Sequence, residues 1–123
     1  MKRSNDLTKA EEEVMQHLWK LEKAFVKEIV AQFQEPKPAY NTISTIVRIL
    51  ETKGFVSYEA FGKTHQYYPL ISKDQYAERA SKKLLEGYFG GSVEKMLSFF
   101  VKKENLNLEE LDQLLESIKK KKS

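Results

Sequence analysis

Asn41, Thr45, Arg48 and Thr52 fall at i, i+4, i+7 and i+11, with Ser44 on the flank of that line. At about 100° per residue these positions share one side of a helix. The other side carries Ile43, Ile46, Val47 and Leu50, an apolar stripe suited to a core. Hydroxyl and amide groups can donate or accept at base edges and phosphates, and an arginine can make the bidentate guanine contact that reads a major groove. The competing reading is an ordinary solvated face, but such faces usually mix Glu with Lys. This line holds no acidic side chain, and Glu51 lies toward the margin of the apolar stripe. The expected chemistry is recognition of double-stranded DNA.

Lys63 follows Gly62 in a turn between two aromatic-rich segments, where it could reach a phosphate or a minor groove, or simply be a solvated turn lysine. Tyr58, Tyr67 and Tyr68 could stack on bases; packing against helices is the stronger expectation for so small a ribbon. Lys37, between two prolines, and Arg3 are further phosphate contacts of low specificity.

Catalytic and metal chemistry find little to work with. His17 and His65 are the only histidines, and the Glu13/His17 pair at i, i+4 lacks a third ligand. Gly90-Gly91-Ser92 could cradle an anion, but a helix-to-helix turn with a serine cap explains it better. The carboxylates sit among lysines, without the isolation that would retune them as acid and base. With no cysteine in the chain, disulfides, thiolate metal sites and thiol catalysis are excluded. No enzyme activity, cofactor or metal is expected.

The elements that must position these residues follow from periodicity. Thr8 and Glu11 form a capping box ahead of a first helix whose stripe is Val14, Leu18, Leu21 and Phe25. Val26, Ile29, Val30 and Phe33 give a second helix, closed by Glu35-Pro36-Lys37-Pro38. The third runs from Ala39 or Tyr40 to Lys53, with Gly54 as its left-handed cap. Segments 55–60 and 65–68 then make a hairpin around Phe61-Gly62-Lys63-Thr64, closed by Pro69. Ser72 with Gln75, Ser92, and Asn107 with Glu110 start three more helices. The expected fold is mainly α with a small β-hairpin: a winged helix-turn-helix domain over 1–71, then a helical dimerisation segment over 72–123.

The chain has 123 residues, 41% hydrophobic and 32% charged, with a net charge of +3. That charge is a poor guide to nucleic acid. Without Lys119–Lys122, which read as a frayed helix end, basic residues number 17 against 18 acidic. No apolar run approaches a membrane span, and the start MKRSNDLTKAEE has no apolar leader core, so a cytoplasmic setting is expected.

The stretch from Ala39 to Gly54 resembles the recognition helix of the penicillinase repressor (BlaI/MecI) family. The family pattern, roughly Thr-[Ile/Val]-x-Thr-x-x-x-Arg-Leu-x-x-Lys-Gly, falls on Thr42, Ile43, Thr45, Leu50, Lys53 and Gly54, with Ile49 at the arginine position and Arg48 one residue before it. Leu7-Thr8-x-Ala10-Glu11 with Val14-Met15 and Leu18-Trp19 is similar to the family's first helix, and Gly62-Lys63 with Tyr67 and Pro69 to its wing. Gly90-Gly91-Ser92 through Phe100-Val101 is similar to its C-terminal segment.

The resemblance adds Thr42 to the DNA-facing residues and implies a homodimeric repressor on a near-palindromic operator. Its C-terminal helices would intertwine, here through Leu84, Tyr88, Met96, Leu97, Phe100, Leu111 and Leu115. So short a segment cannot cover that many large side chains within one subunit. The family further implies relief of repression by a membrane-bound sensor protease responding to β-lactams, cutting an Asn-Phe bond. The equivalent bond here is Phe99-Phe100, with phenylalanine in place of asparagine. Copper-responsive relatives use C-terminal cysteines, which this chain lacks. A different class of function stays open on the residues alone: a winged-helix module that contacts protein rather than DNA.

Overall fold

A computed structural model describes residues 6–122, with side chains as far as Lys120; Arg3 lies outside the described residues. The chain forms two compact units, Met1–Tyr76 and Ala77–Ser123.

In the first unit, α1 (Lys9–Leu21) begins at the capping box. Thr8 Oγ1 accepts from the Glu11 N–H at 3.1 Å, and Glu11 Oε1 accepts from the Thr8 N–H at 3.0 Å. The helix does not carry its stripe to Phe25, as the spacing predicts. Glu22 adopts φ 72°, which turns the chain out of the helix, and β1 (Ala24–Phe25) follows. A two-residue strand has no period to detect, so Phe25 at i+4 from Leu21 is a coincidence of spacing.

α2 (Val26–Gln32) opens with the Phe25 N–H donated to Glu28 Oε1 at 2.8 Å. α3 (Tyr40–Thr52) ends in a Schellman closure. The Phe55 N–H reaches the Leu50 carbonyl at 2.9 Å, the Gly54 N–H reaches that of Glu51 at 3.0 Å, and Gly54 has φ 85°. β2 (Val56–Phe61) and β3 (Thr64–Pro69) then pair antiparallel, with Phe61 opposite Thr64 and Tyr58 opposite Tyr67. That register leaves Gly62 and Lys63 as the loop. Gly62 takes φ 64°, the positive φ that a type II′ hairpin turn needs at its first position. β1 pairs with the other side of β3, through Ala24 with Tyr67 and Phe25 with Gln66, so the sheet has three strands in the order β1-β3-β2.

The core joins Val14, Met15 and Leu18 of α1, Val26 and Ile29 of α2, and Ile43, Val47 and Leu50 of α3 to Ala24, Phe55, Val56 and Tyr67. Ile46 packs against its margin. Of the three tyrosines, Tyr67 is buried, whereas Tyr58 and Tyr68 stay partly exposed. Trp19 Nε1 donates to the Ile71 carbonyl at 2.8 Å, and its ring lies 5.9 Å from that of Tyr76, which ties the start of the next helix to this unit. Three helices followed by a paired ribbon make this a winged helix-turn-helix.

α4 (Lys73–Phe89) starts at the Ser72/Gln75 box and crosses into the second unit. α5 (Val93–Lys103) is capped by Ser92, whose Oγ accepts from the Lys95 N–H at 3.1 Å, so the Gly90-Gly91-Ser92 turn serves its own helix. α6 (Leu108–Lys122) opens at the Asn107/Glu110 box. None of the described residues of the second unit is buried.

Candidate nucleic-acid interface

α3 is entered from Pro38, and the Ala39 carbonyl accepts the N–H groups of Thr42 at 3.1 Å and Ile43 at 3.2 Å. With Ile43, Val47 and Leu50 anchored inward, the opposite side faces solvent. Asn41, Thr42, Thr45, Arg48 and Thr52 are exposed and Ser44 is half-buried. Arg48 Nη2 lies 3.4 Å from Ser44 Oγ, one turn back, so the guanidinium lies along the helix surface with its other donors unspent. Thr52 Oγ1 donates to the Arg48 carbonyl at 3.1 Å, which occupies its proton and leaves its lone pairs as acceptors.

Between α3 and the wing runs a groove of about 500 Å³. Asn41, Ser44 and Arg48 line it from α3, and Lys63, Thr64 and His65 from the ribbon. Lys27 of α2 and Tyr40 at the start of α3 complete the polar lining, which holds no acidic residue, although the Glu28 carboxylate accepts from the N–H of the lining residue Phe25. Thr45 and Thr52 line a separate concavity of about 530 Å³ with Arg48, Ile49 and Lys53. Arg48 therefore borders both, and Thr42 borders neither.

Sequence reasoning missed Lys27, Tyr40 and His65. Tyr40 sits on α3 one residue before Asn41, a signal that was present. Lys27 and His65 reach the groove only through the packing of α2 and β3. The His65 ring stacks on Tyr58, with centroids 3.9 Å apart and planes 5° from parallel. Beneath the groove, burial raises the Tyr67 hydroxyl above its ordinary pKa, with the Glu51 charge adding to the effect and Arg48 opposing it.

Two basic residues singled out by pattern are structural. Lys53 Nζ bonds Glu11 Oε1 at 2.7 Å and the Asp6 carbonyl at 3.2 Å, which fastens the end of α3 to the start of α1. Burial alone would push the Glu11 carboxyl up. The Lys53 hydrogen bond, the Thr8 amide and the Lys53 charge outweigh it and hold the group below the usual carboxylate range. The Lys37 ammonium donates to the carbonyls of Ala31 and Phe33, the uncapped end of α2, rather than standing free for a phosphate.

In the second unit the residues expected at a dimer interface lie open. Leu84, Leu97, Phe100 and Leu115 are between 42% and 47% exposed, and Tyr88 is 79% exposed. Met96 and Leu111 are half-buried. Phe99 and Phe100 sit within α5 with their rings 5.4 Å apart, and Phe99 also meets Phe89 at 5.7 Å.

The family model described as penicillinase repressor matches residues 7–120, from the first capping segment through α6. The chain belongs to the penicillinase repressor family. Its relatives include the methicillin resistance regulatory protein MecI of Staphylococcus aureus (strain N315), 29% identical over 94% of this chain and 95% of that protein. The penicillinase repressor of Bacillus licheniformis is 26% identical over 100% of this chain and 97% of its own length. Among solved structures, that of the DNA-binding domain of the repressor BlaI superposes with a TM-score of 0.52 at 27% identity, covering 62% of this chain and 94% of the domain. The family comprises DNA-binding transcriptional repressors, which are not enzymes. Among the described residues no helix is long and apolar enough to cross a membrane.

Proposed function

We propose that this protein is a homodimeric, sequence-specific transcriptional repressor that acts in the cytoplasm on a near-palindromic DNA operator. The observation that carries the reading is the acid-free polar face of α3 beside the basic wing groove. Arg48 and Asn41 read base edges, Ser44, Thr45 and Thr52 complete the α3 contacts, Thr42 extends them toward the helix start, and Lys63 meets the backbone. Two-fold pairing through the open apolar faces of α4, α5 and α6 would set two recognition helices on one side of the duplex.

The test is a mobility-shift titration of the full chain on duplex from its own upstream region and on a scrambled duplex, repeated at rising salt. A preference of about 10³-fold or more for the first is expected. Equal binding to both overturns sequence-specific repression.

Repression ends, on this reading, when a sensor-triggered protease hydrolyses Phe99-Phe100. The cut would part Val93, Met96 and Leu97 from α6 and divide the apolar surface used for pairing. Each winged helix would then bind its half-site alone, without the gain of a linked pair. Co-expression with a cognate sensor, induction and measurement of fragment masses test this step. An intact chain during derepression rules out the protease, and a cut elsewhere retires Phe99-Phe100.

A further inference from the structure

We infer that Trp19 is a positioning residue for DNA recognition: with Ile71 and Tyr76 it fixes the direction in which α4 leaves the winged helix, and so the half-site spacing that the repressor accepts. The inference rests on the homodimeric repressor reading and extends it from what α3 reads to how two copies of α3 are held apart.

Segments that join compact units are ordinarily polar, rich in Gly or Pro, and crossed by few contacts. Here only Leu70-Ile71-Ser72 separates β3 from α4, and each of the three is tied. The Leu70 N–H donates to the Phe55 carbonyl at 2.8 Å. The Ile71 carbonyl accepts from Trp19 Nε1 at 2.8 Å, a bond that spans 52 residues. Ser72 Oγ accepts from the Gln75 N–H at 3.0 Å, and Gln75 Oε1 accepts from the Ser72 N–H at 2.9 Å. Rings then hold the first turn of α4, since the Tyr76 ring lies 5.9 Å from that of Trp19 and 5.9 Å from that of the buried Phe55. Trp19, Ile71 and Tyr76 all pack against the core of the first unit.

Beyond Tyr76 the chain continues as one helix to Phe89, without a proline and with no residue buried. That stretch is a lever. Tyr88, expected on the pairing face, lies twelve residues past Tyr76, about 18 Å at a rise of about 1.5 Å per residue. A change of about 10° at the root would carry it about 3 Å, close to the rise of one base pair in a duplex with about 10 base pairs per turn of about 34 Å. A loose root would let the paired chains serve half-sites one base pair too near or too far, and the fastening removes that freedom. Trp19 contributes both parts of it, a ring and an N–H donor; phenylalanine keeps a ring and has no donor.

The test uses the full chain, the operator from its own upstream region, and the same operator with one base pair inserted or deleted between the half-sites. In mobility-shift titrations the affinity of the parent chain should fall about 10²-fold when the spacing changes, as one half-site is disengaged. In Trp19→Phe the fall should shrink to about tenfold or less. Tyr76→Ala, which removes the ring contacts, should shrink it in the same direction. Tyr76→Phe, which keeps them, should match the parent.

A role in stability alone would lower the melting temperature, or weaken every duplex by one factor, and leave the ratio between spacings as in the parent. That result in Trp19→Phe and Tyr76→Ala overturns the fastening. So does a parent chain that prefers the operator to scrambled duplex yet binds all spacings equally, and the repressor reading survives it. Equal binding to operator and scrambled duplex overturns both. Far-UV circular dichroism shows which variants are folded; should Trp19→Phe not fold, Tyr76→Ala carries the comparison by itself.

Discussion

Among the described residues the first unit buries twelve apolar side chains, drawn from three helices, the sheet and Phe55 between α3 and β2, whereas the second, three helices long, buries none. Yet both are rich in large hydrophobics. The second exposes Leu84, Tyr88, Leu97, Phe99, Phe100, Leu114, Leu115 and Ile118. The difference lies in connectivity. Strands β1, β2 and β3 close one side of the first unit and give its helices a third layer to pack on. In the second unit each amphipathic helix has an apolar face and no sheet to cover it, which is the demand that the proposed pairing with a second copy would meet.

The largest effect should come from breaking the second unit's open face. Phe100→Asp places a charge on it, and sedimentation at micromolar concentration should show a monomer where the parent chain is expected to run as a dimer. Operator affinity should fall by about 10²–10⁴-fold as linked half-sites become independent. A Phe100→Asp chain that still sediments as a dimer would put the pairing surface elsewhere.

Next in size is a cavity in the first unit. Leu50→Ala should cost about 2–5 kcal/mol, because the fully buried side chain has little room to collapse around. Its melting shift relative to the parent should be nearly independent of protein concentration. Leu115→Ala, by contrast, should act through dimer stability and make melting depend more steeply on concentration. Identical concentration dependence for the two variants would erase the contrast between the units.

Smaller again is the loss of a single base contact. Arg48→Ala should cost about 1–3 kcal/mol on the operator and relax discrimination at one base pair. Unchanged specific affinity would mean that the wrong side of α3 has been assigned to DNA.

The smallest effect concerns the Lys53–Glu11 tie. The Glu11 carboxyl is lowered in the folded state, so its contribution to stability is fully present above the ordinary glutamate pKa, about 4.3. It is lost as pH falls through the lowered folded value. Lys53→Met should cost about 1–2 kcal/mol at neutral pH by leaving that carboxylate without its partner. Thermal melts across acidic pH should show less loss of stability for Glu11→Gln than for the parent. Parallel curves would remove Glu11 from the account.

The sequence by itself determined the features whose causes are local. Thr8 with Glu11, Ser72 with Gln75 and Asn107 with Glu110 are separated by three residues, the reach of one helical turn, so type and spacing suffice to place each helix start. The outer face of α3 was legible for the same reason, since burying Ile43, Val47 and Leu50 turns Asn41, Thr45, Arg48 and Thr52 outward. Gly62 marked the ribbon tip because its positive φ suits glycine.

Tertiary structure decided whatever joins distant residues. β1 exists only because β3 offers Gln66 and Tyr67 to pair with, so Ala24-Phe25 carried no pattern of its own. Lys53 meets Glu11 across 42 residues, which gives a residue of the family pattern the role of a fastening. Lys27 and His65 joined Arg48 at one groove through the packing of α2 and β3 around α3. A periodic pattern states which side of an element is apolar; which elements meet across that side depends on how all the apolar faces are covered together.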